Sequence, residues 1–225
     1  MSPPRLGCQE ECTLTEREDE RSRRFARVYD SVNARYERKL ENVRSSLLRR
    51  ASGTVIEIGP GTGTNLRFYT EAEYVTLVEP YQAMRKILSG RVHAAQNPGL
   101  ASIVDGRAEA MPAASHTIDT VVSSLVPCSV SELDRTLAEI RRVLKLEGKL
   151  VFLEHHVDFG LKSRVQRILT PLMRKYAANC HQDRNTPQAI SDAGFCVQRT
   201  ITIPTDLSLR VLSSWPLTAG IATPS

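Results

Sequence analysis

The sequence predicts an α/β protein built on a seven-stranded, mostly parallel sheet closed by antiparallel C-terminal strands. Three observations lead there. From Thr54 onward, short β-branched runs alternate with helical patterns, which calls for parallel strands joined by right-handed crossovers and covered on both faces. The last two strand-like runs follow one another with no helix between them, which suggests an antiparallel pair. The first strand runs directly into a loop, EIGPGTGTN, where Gly59, Gly61 and Gly63 alternate.

The elements follow in order. Residues 1–14 read as a flexible head, and Thr15-Glu16-Arg17-Glu18 fits a capping box that satisfies the first amides of a helix. Behind it Phe25, Val28, Tyr29, Val32, Tyr36, Leu40, Val43 and Leu47 recur at spacings of three and four. This marks residues 15–50 as an amphipathic helical segment with one buried face, broken near Asp30-Ser31. The body, residues 51–225, offers TVIEI (54–58), YVTLVE (74–79), ASIV (101–104), TIDTVVSSL (117–125) and GKLVFLE (148–154) as strands. NLRFY, YQAMRKILSG and SELDRTLAEIRRVLK are the helical stretches between them, followed by LKSRVQRILTPLMRKYA and TPQAISDAG. FCVQRTITI and LRVLSSWPLTAGIAT complete the seven strands. There is no internal repeat and no low-complexity tract.

Composition removes several function classes. With 225 residues and 41% hydrophobic content the chain can bury one sizeable core. Its net charge of +5 is dispersed among mixed-sign helix faces, Glu16–Arg24 and Arg35–Arg50, so a nucleic-acid partner is not expected. No apolar run approaches the ~20 residues of a spanning helix, and the N-terminus shows no signal-peptide core, so a cytoplasmic protein is expected. The five cysteines, Cys8, Cys12, Cys128, Cys180 and Cys196, are scattered, without a CxxC pair or zinc spacing, and read as reduced thiols. Oligomeric state is not legible.

The glycine loop carries the chemistry. Glycine lets the backbone turn tightly and approach a ligand closely. A dinucleotide fingerprint needs a third glycine at position 64 or 66, which are Thr64 and Leu66. The pattern is E-x-G-x-G-x-G instead, with Glu57 near the strand's end, where a carboxylate suits a cationic ligand better than a pyrophosphate.

VIEIGPGTG resembles the first motif of the class I S-adenosylmethionine-dependent methyltransferases, a Rossmann-like family. Glu79, ending YVTLVE sixteen residues after Gly63, matches the second motif. GRAEAMPAASHTID resembles the third, with Arg107 where the family carries Asp. The resemblance spans roughly Phe25 to Phe195. It implies S-adenosyl-L-methionine as cofactor, S-adenosyl-L-homocysteine as product and a small-molecule substrate. It implies a donor site from Tyr29, Glu57, Gly59, Gly61, Gly63, Asn65, Glu79, Pro80, Ala108, Glu109, Ser124 and Leu125. In it Glu79 binds the ribose hydroxyls, and Ala108 and Glu109 take over adenine recognition, with Asp105 as a substitute.

SSLVPCSV, FLEHHV and NCHQDRNTPQAISDAGF narrow the family further. They resemble the microsomal alkyl-thiol methyltransferases and their bacterial relatives, which share patterns such as TLVLCSV and EHV and a Cys followed four residues later by Arg, here Cys180 and Arg184. The microsomal members carry an N-terminal hydrophobic anchor that this sequence does not show, so no membrane span is expected. A looser resemblance, through F-x-x-V-Y-D at Phe25–Asp30, is to the quinone C-methyltransferases. The acceptor expected is a small, largely apolar thiol on a secondary metabolite or xenobiotic. Alternatives are O-, N- or C-methylation of an aromatic or quinone-like ring, arsenite methylation through a cysteine relay, and a non-catalytic adenosylmethionine-binding protein.

His155 and His156 are the candidate bases, at the carboxyl end of a parallel strand where open α/β sheets bind ligands. Adjacent strand residues point to opposite faces, so the pair is not suited to chelate one metal, and spacing along the chain offers no other ligand set. No metal is expected. A structural histidine is the competing reading. Tyr36, Cys128, Cys180 and Arg184 are assigned to the acceptor side. Core packing competes for both cysteines, and pairing with Asp183 or Asp192 competes for Arg184. Tyr29 and Tyr36 form either a lid over the donor or an ordinary packed helix face.

Overall fold

The computed structural model describes residues 26, 29–31, 34, 36–158, 160–176, 179–203 and 216–225. The expected head at 1–14, the capping box at Thr15–Glu18, the positions Phe25, Val28 and Val32, Cys8 and Cys12, and the first part of the last predicted strand lie outside the described residues.

The sheet has seven strands. They are β1 (Ser52–Ile58), β2 (Glu71–Val78), β3 (Ala101–Val104), β4 (Ile118–Ser124), β5 (Leu144–His155), β6 (Phe195–Ile203) and β7 (Leu217–Pro224), in spatial order β3-β2-β1-β4-β5-β7-β6. β1 to β5 pair in parallel, from Val75↔Ala101 at one end to Val122↔Val151 near the middle. β7 inserts between β5 and β6, antiparallel to both, with Phe152↔Gly220 and Ile201↔Ala219 as partners. The order reverses at β1, so β1 and β4 diverge toward helices on opposite faces. This is the crevice at which doubly wound sheets hold ligands.

Strand side chains alternate between two cores. Ile56, Ile58, Val121, Leu150 and Phe152 pack against Leu137, Ile140 and Val143 on one face. Val55, Val75, Leu77, Val122 and Val151 pack against Leu48, Leu88 and Val92 on the other. Burial on both faces is why these strands read as unbroken apolar runs.

The helices α1 (36–48), α2 (Gln82–His93), α3 (Leu133–Val143), α4 (Leu161–Tyr176) and α5 (Thr186–Asp192) cover the sheet. Residues 26, 29–31 and 34 are also helical. On α1, Tyr36 and Leu40 meet Leu153, Leu217 and Ala219, so the expected buried face exists. No helix of the described residues is long and apolar enough to cross a membrane.

Two element readings are corrected. NLRFY forms only a short 3-10 turn, Leu66–Phe68, because the Asn65 and Tyr69 side chains are tied to Glu57 and hold the segment against β1. α3 ends at Val143 rather than Lys145, since the His116 and Thr117 N–H groups take the Arg142 and Val143 carbonyls and Leu144 already pairs with Ile118.

Candidate active site

The glycine loop leaves β1 with three left-handed residues, Gly59 (φ 57), Gly61 (φ 58) and Gly63 (φ 91). A Cβ on Gly59 would lie 2.6 Å from Val126, and one on Gly63 would lie 2.6 Å from Leu88. Those two glycines are needed for packing. A Cβ on Gly61 would meet nothing within 4 Å among the described residues, so there is room beside this glycine for a ligand. The Gly61 N–H donates to Glu79 Oε2 at 3.0 Å, and the Tyr81 N–H donates to Glu79 Oε1 at 3.0 Å. Glu79 therefore arches over the loop from the end of β2. Burial pushes its carboxyl above the usual range, and the two N–H groups oppose that shift. A carboxylate offers about four lone-pair sites, so two backbone bonds leave capacity for a pair of hydroxyls. Open space at Gly61 beside this carboxylate fits an adenosyl ribose.

Beneath the loop runs a buried polar chain. Tyr69 Oη donates to Glu57 Oε2 at 2.7 Å, and Asn65 Nδ2 donates to Glu57 Oε1 at 2.7 Å. Arg44 Nη1, from α1, donates to Asn65 Oδ1 at 2.9 Å and to Ser124 Oγ at 2.5 Å. Its other nitrogens pair with Glu37, Nη2 to Oε1 at 3.0 Å and Nε to Oε2 at 2.8 Å. Arg44 is only 4% exposed. Burial raises the Glu57 carboxyl, while the Tyr69 and Asn65 hydrogen bonds pull it back. Both Glu57 oxygens are engaged internally, so Glu57 holds Asn65 in place rather than presenting a bare carboxylate. Asp30 joins from the N-terminal side, accepting from Thr62 Oγ1 at 2.7 Å and pairing with Arg91.

The second half of the site lies past the ends of β4 and β5. Leu125 adopts a left-handed backbone (φ 61), which costs a non-glycine residue about 1–2 kcal/mol. Its N–H donates to the Leu153 carbonyl at 2.8 Å, which holds the turn. Glu154 is fully buried and accepts from the Val126 N–H (2.9 Å) and Ser123 Oγ (3.1 Å) through Oε1. Its Oε2 has no hydrogen-bond partner among the described residues. Burial drives this carboxyl well above its usual value, with the nearby Cys128 adding to the effect.

The alternation expected along β5 separates the histidines. His156 Nδ1 lies 2.7 Å from the Val157 carbonyl, outside the cluster described next. His155, 4% exposed, turns into the protein with Nδ1 3.7 Å from Cys180 Sγ. Cys128 completes a group: its Sγ, Cys180 Sγ and a His155 ring nitrogen all lie within 4.8 Å of one another. Both thiols are buried, and the neighbouring Cys180 together with burial raises the Cys128 thiol well above its usual value. The sequence positions 128, 155 and 180 are far apart, so spacing concealed a set of three potential ligands that the fold gathers.

Other assigned residues fall as follows. Arg184 Nη1 donates to the carbonyls of Val130 (3.0 Å) and Pro127, so it anchors the loop that carries Cys128 rather than pairing with Asp183 or Asp192. Asp105 is bound by Arg85, whose Nη1 also takes the Glu79 and Pro80 carbonyls, each at 2.8 Å. Arg107 is exposed, whereas Ala108 is buried and Glu109 half-buried beside it. Tyr29 is half-buried, with its phenol pushed up to about 12 by burial and then by Glu37. The Tyr36 hydroxyl is buried without a hydrogen-bond partner among the described residues. Arg44 and Asp30 are the functional candidates that sequence reading passed over. The signal for Arg44 was its place on the buried side of a charged helical stretch; Asp30 is only half-buried and offered none.

Comparison with known proteins speaks to family and fold. A family model described as a methyltransferase domain matches residues 56–152. Thiol S-methyltransferase TMT1B of Rattus norvegicus is 30% identical over 182 residues, covering 76% of this chain and 75% of its own. The ubiquinone/menaquinone biosynthesis C-methyltransferase UbiE of Rubrivivax gelatinosus is 29% identical over 150 residues, 61% of this chain and 58% of its own. Among solved structures, geranyl diphosphate methyltransferase in complex with SAM superposes with a TM-score of 0.68 at 16% identity, covering 84% of this chain and 87% of that one. At that identity the likeness speaks for the fold.

Proposed function

The chain belongs to the class I S-adenosylmethionine-dependent methyltransferases, and from that premise we propose that it methylates the sulfur of a small, largely apolar thiol. The observation that carries the sulfur assignment is the 30% identity to a thiol S-methyltransferase over three quarters of both chains. The buried, soft character of the group formed by Cys128, His155 and Cys180 supports it.

S-adenosyl-L-methionine, the cofactor, supplies when bound a methyl group already activated on a sulfonium and leaves as S-adenosyl-L-homocysteine. The chain's task is then alignment, which can provide up to ~7–11 kcal/mol of barrier reduction in ideal cases. Glu79 receives the ribose hydroxyls, the Gly61 backbone gives way to the adenosyl group, and Ala108 and Glu109 face the base. Asn65, braced by Glu57 and Arg44, and the Ser124–Leu125 turn form the floor between donor and acceptor. Tyr29 and Tyr36 cover this floor from the N-terminal helical segment. On the acceptor side Tyr36, Cys128, His155 and Cys180 exclude water. A thiol has to lose its proton before attack, since the thiolate is the nucleophile and a free thiol titrates near pH ~8.5. Of the two histidines, His155 is the one assigned to that side.

A panel of alkyl thiols, alcohols, amines and a quinol, read by S-adenosylhomocysteine formation, tests the proposal. Turnover with thiols alone is expected. Methylation of the quinol ring with no thiol turned over would replace it with the second reading, C-methylation, which the likeness to UbiE favours.

A further inference from the structure

We infer that Cys128, His155 and Cys180 form a buried three-ligand zinc site whose fourth position receives the acceptor thiol. The thiol as fourth ligand rests on the function proposed above; the metal itself does not. The three residues come from separate segments: the β4–α3 loop, the tip of β5 and the α4–α5 loop. Their ligand atoms lie within 4.8 Å of one another, and the Cys180 Sγ to His155 Nδ1 distance is 3.7 Å. Ligand atoms around a tetrahedral zinc stand roughly 3.5–3.8 Å apart, given metal–ligand bonds of about 2.3 Å to sulfur and 2.0 Å to nitrogen. The cluster is already near that spacing.

The donor set sharpens the identity of the ion. Two thiols and one imidazole are soft to borderline ligands, which select zinc over magnesium or calcium. Two Cys and one His are also a ligand set of catalytic zinc sites, which keep one position open, while closed structural sites use four protein ligands. All three side chains are at least 95% buried, at 1%, 4% and 5% exposure. Buried thiols alone would pack as small hydrophobes. An imidazole aimed at both of them goes beyond packing.

The surrounding backbone holds this arrangement. The His181 N–H donates to the Cys128 carbonyl at 2.6 Å, and Asn179 Nδ2 donates to the Ser129 carbonyl at 3.0 Å. Arg184 clamps the same loop through the Val130 carbonyl at 3.0 Å, and Thr186 Oγ1 holds the His155 carbonyl at 3.1 Å. Each bond ties a ligand or its neighbour to a different segment. Asn179 adopts a left-handed conformation (φ 59) one residue before Cys180, which directs the chain back toward the other two ligands. Along β5, Leu153 shares the face of His155 and packs with Tyr36, whose buried hydroxyl has no hydrogen-bond partner among the described residues. That hydroxyl is a donor available to a bound sulfur. Coordination would displace the thiol proton to solvent and leave the acceptor as a metal-bound thiolate, with His155 as a ligand rather than the proton acceptor.

The full chain, purified under reducing conditions and desalted against a weak chelator, is to be assayed for metals, alongside Cys128→Ser, Cys180→Ser and Cys196→Ser. Cys196 is exposed and serves as the control. One zinc per chain is expected in the wild type and in C196S, with affinity at least ~10-fold lower in C128S and C180S. Cobalt loaded into the wild type should show a thiolate charge-transfer band that shifts when an alkyl thiol is added. This second readout stands even where a serine variant fails to fold. Wild-type protein that retains no zinc and shows no such band with cobalt overturns the site, as does zinc held equally by all variants. A band that forms but ignores thiols removes the thiol from the fourth position while keeping the metal. Thiol turnover unchanged in zinc-stripped protein refutes the metal's part in acceptor binding and leaves the thiol reading standing.

Discussion

The donor half and the acceptor half of this site are built by different means. The donor half sits past β1 and β2 and is made of backbone: three left-handed glycines, the Gly61 and Tyr81 N–H groups, and one carboxylate, Glu79, that they hold. Its parts are near neighbours along short stretches of chain. The half we propose for the acceptor sits past β4 and β5 and is made of side chains at 128, 155 and 180, which meet because loops from distant segments are bonded together. A common cofactor can be recognised by a loop conformation. A specific acceptor needs side-chain chemistry, and that chemistry is free to come from anywhere the fold reaches. Arg44 stands between the halves, with one hydrogen bond to Asn65 under the glycine loop and one to Ser124 at the end of β4.

The sharpest way to break the division is at that joint. Arg44→Met keeps the stem but leaves Glu37, Asn65 and Ser124 without their buried partner. Removing one member of a buried ion pair costs about 3–5 kcal/mol, and a loss of that size is expected in denaturant unfolding. Donor affinity and turnover should fall together in whatever folded protein remains. A variant that loses only one of them would show that the halves are independent after all. Next in size is His155→Ala. Losing a positioned imidazole, as ligand or as base, should lower kcat by about 100-fold or more. Donor affinity by calorimetry should stay within experimental error, because His155 is grouped with Cys128 and Cys180 rather than with Gly61 and Glu79. The same change at His156 should leave kcat nearly intact, since that ring lies against the Val157 carbonyl. Equal losses from both would undo the assignment of His155.

Glu79→Gln tests the donor half alone. It removes the charge from a carboxylate that holds two backbone N–H groups, and hydrogen bonds to a charged group are worth about 1.5–3 kcal/mol. Donor binding should weaken about 10-fold, while kcat at saturating donor changes little. An unchanged calorimetric affinity would remove Glu79 from the ribose site.

The same division explains what the sequence disclosed. The glycine loop and Glu79 were legible because a tight turn and a strand-end acid are local events with fixed residue types. The strands themselves were legible from apolar runs buried on both faces. The opposed directions of His155 and His156 followed from strand alternation. The Cys128–His155–Cys180 group was hidden, because no spacing rule links positions brought together by tertiary contacts such as those of Arg184, Asn179, His181 and Thr186. Arg44 was hidden for a related reason: in a helix rich in charges, nothing local tells a buried arginine from the solvated ones. The insertion of β7 between β5 and β6 depends on pairing across the whole chain, so the strand run could show an antiparallel ending but not its place in the order.

The smallest effect expected is also on the donor half, at the loop carrying Ala108 and Glu109. Glu139 Oε1 accepts from the Met111 N–H at 2.8 Å, and Arg142 binds the same carboxylate through Nε and Nη2, each at 2.7 Å. The Arg142 guanidinium, with the Met111 amide helping, holds this carboxyl below its usual range. A depressed carboxyl contributes stability that is fully present above the unfolded-state value, about 4.3, and is lost as pH falls through the lower folded value. Glu139→Gln keeps an acceptor for Met111 but removes the charge. At neutral pH it should therefore be less stable than wild type by about 0.5–1 kcal/mol, the range for a partly exposed pair. The two proteins should converge as the pH drops below 4. Unfolding curves at several pH values read the convergence. A gap that persists into acid would mean that Glu139 acts through packing, and that the loop proposed to meet the adenine is held by shape rather than by charge.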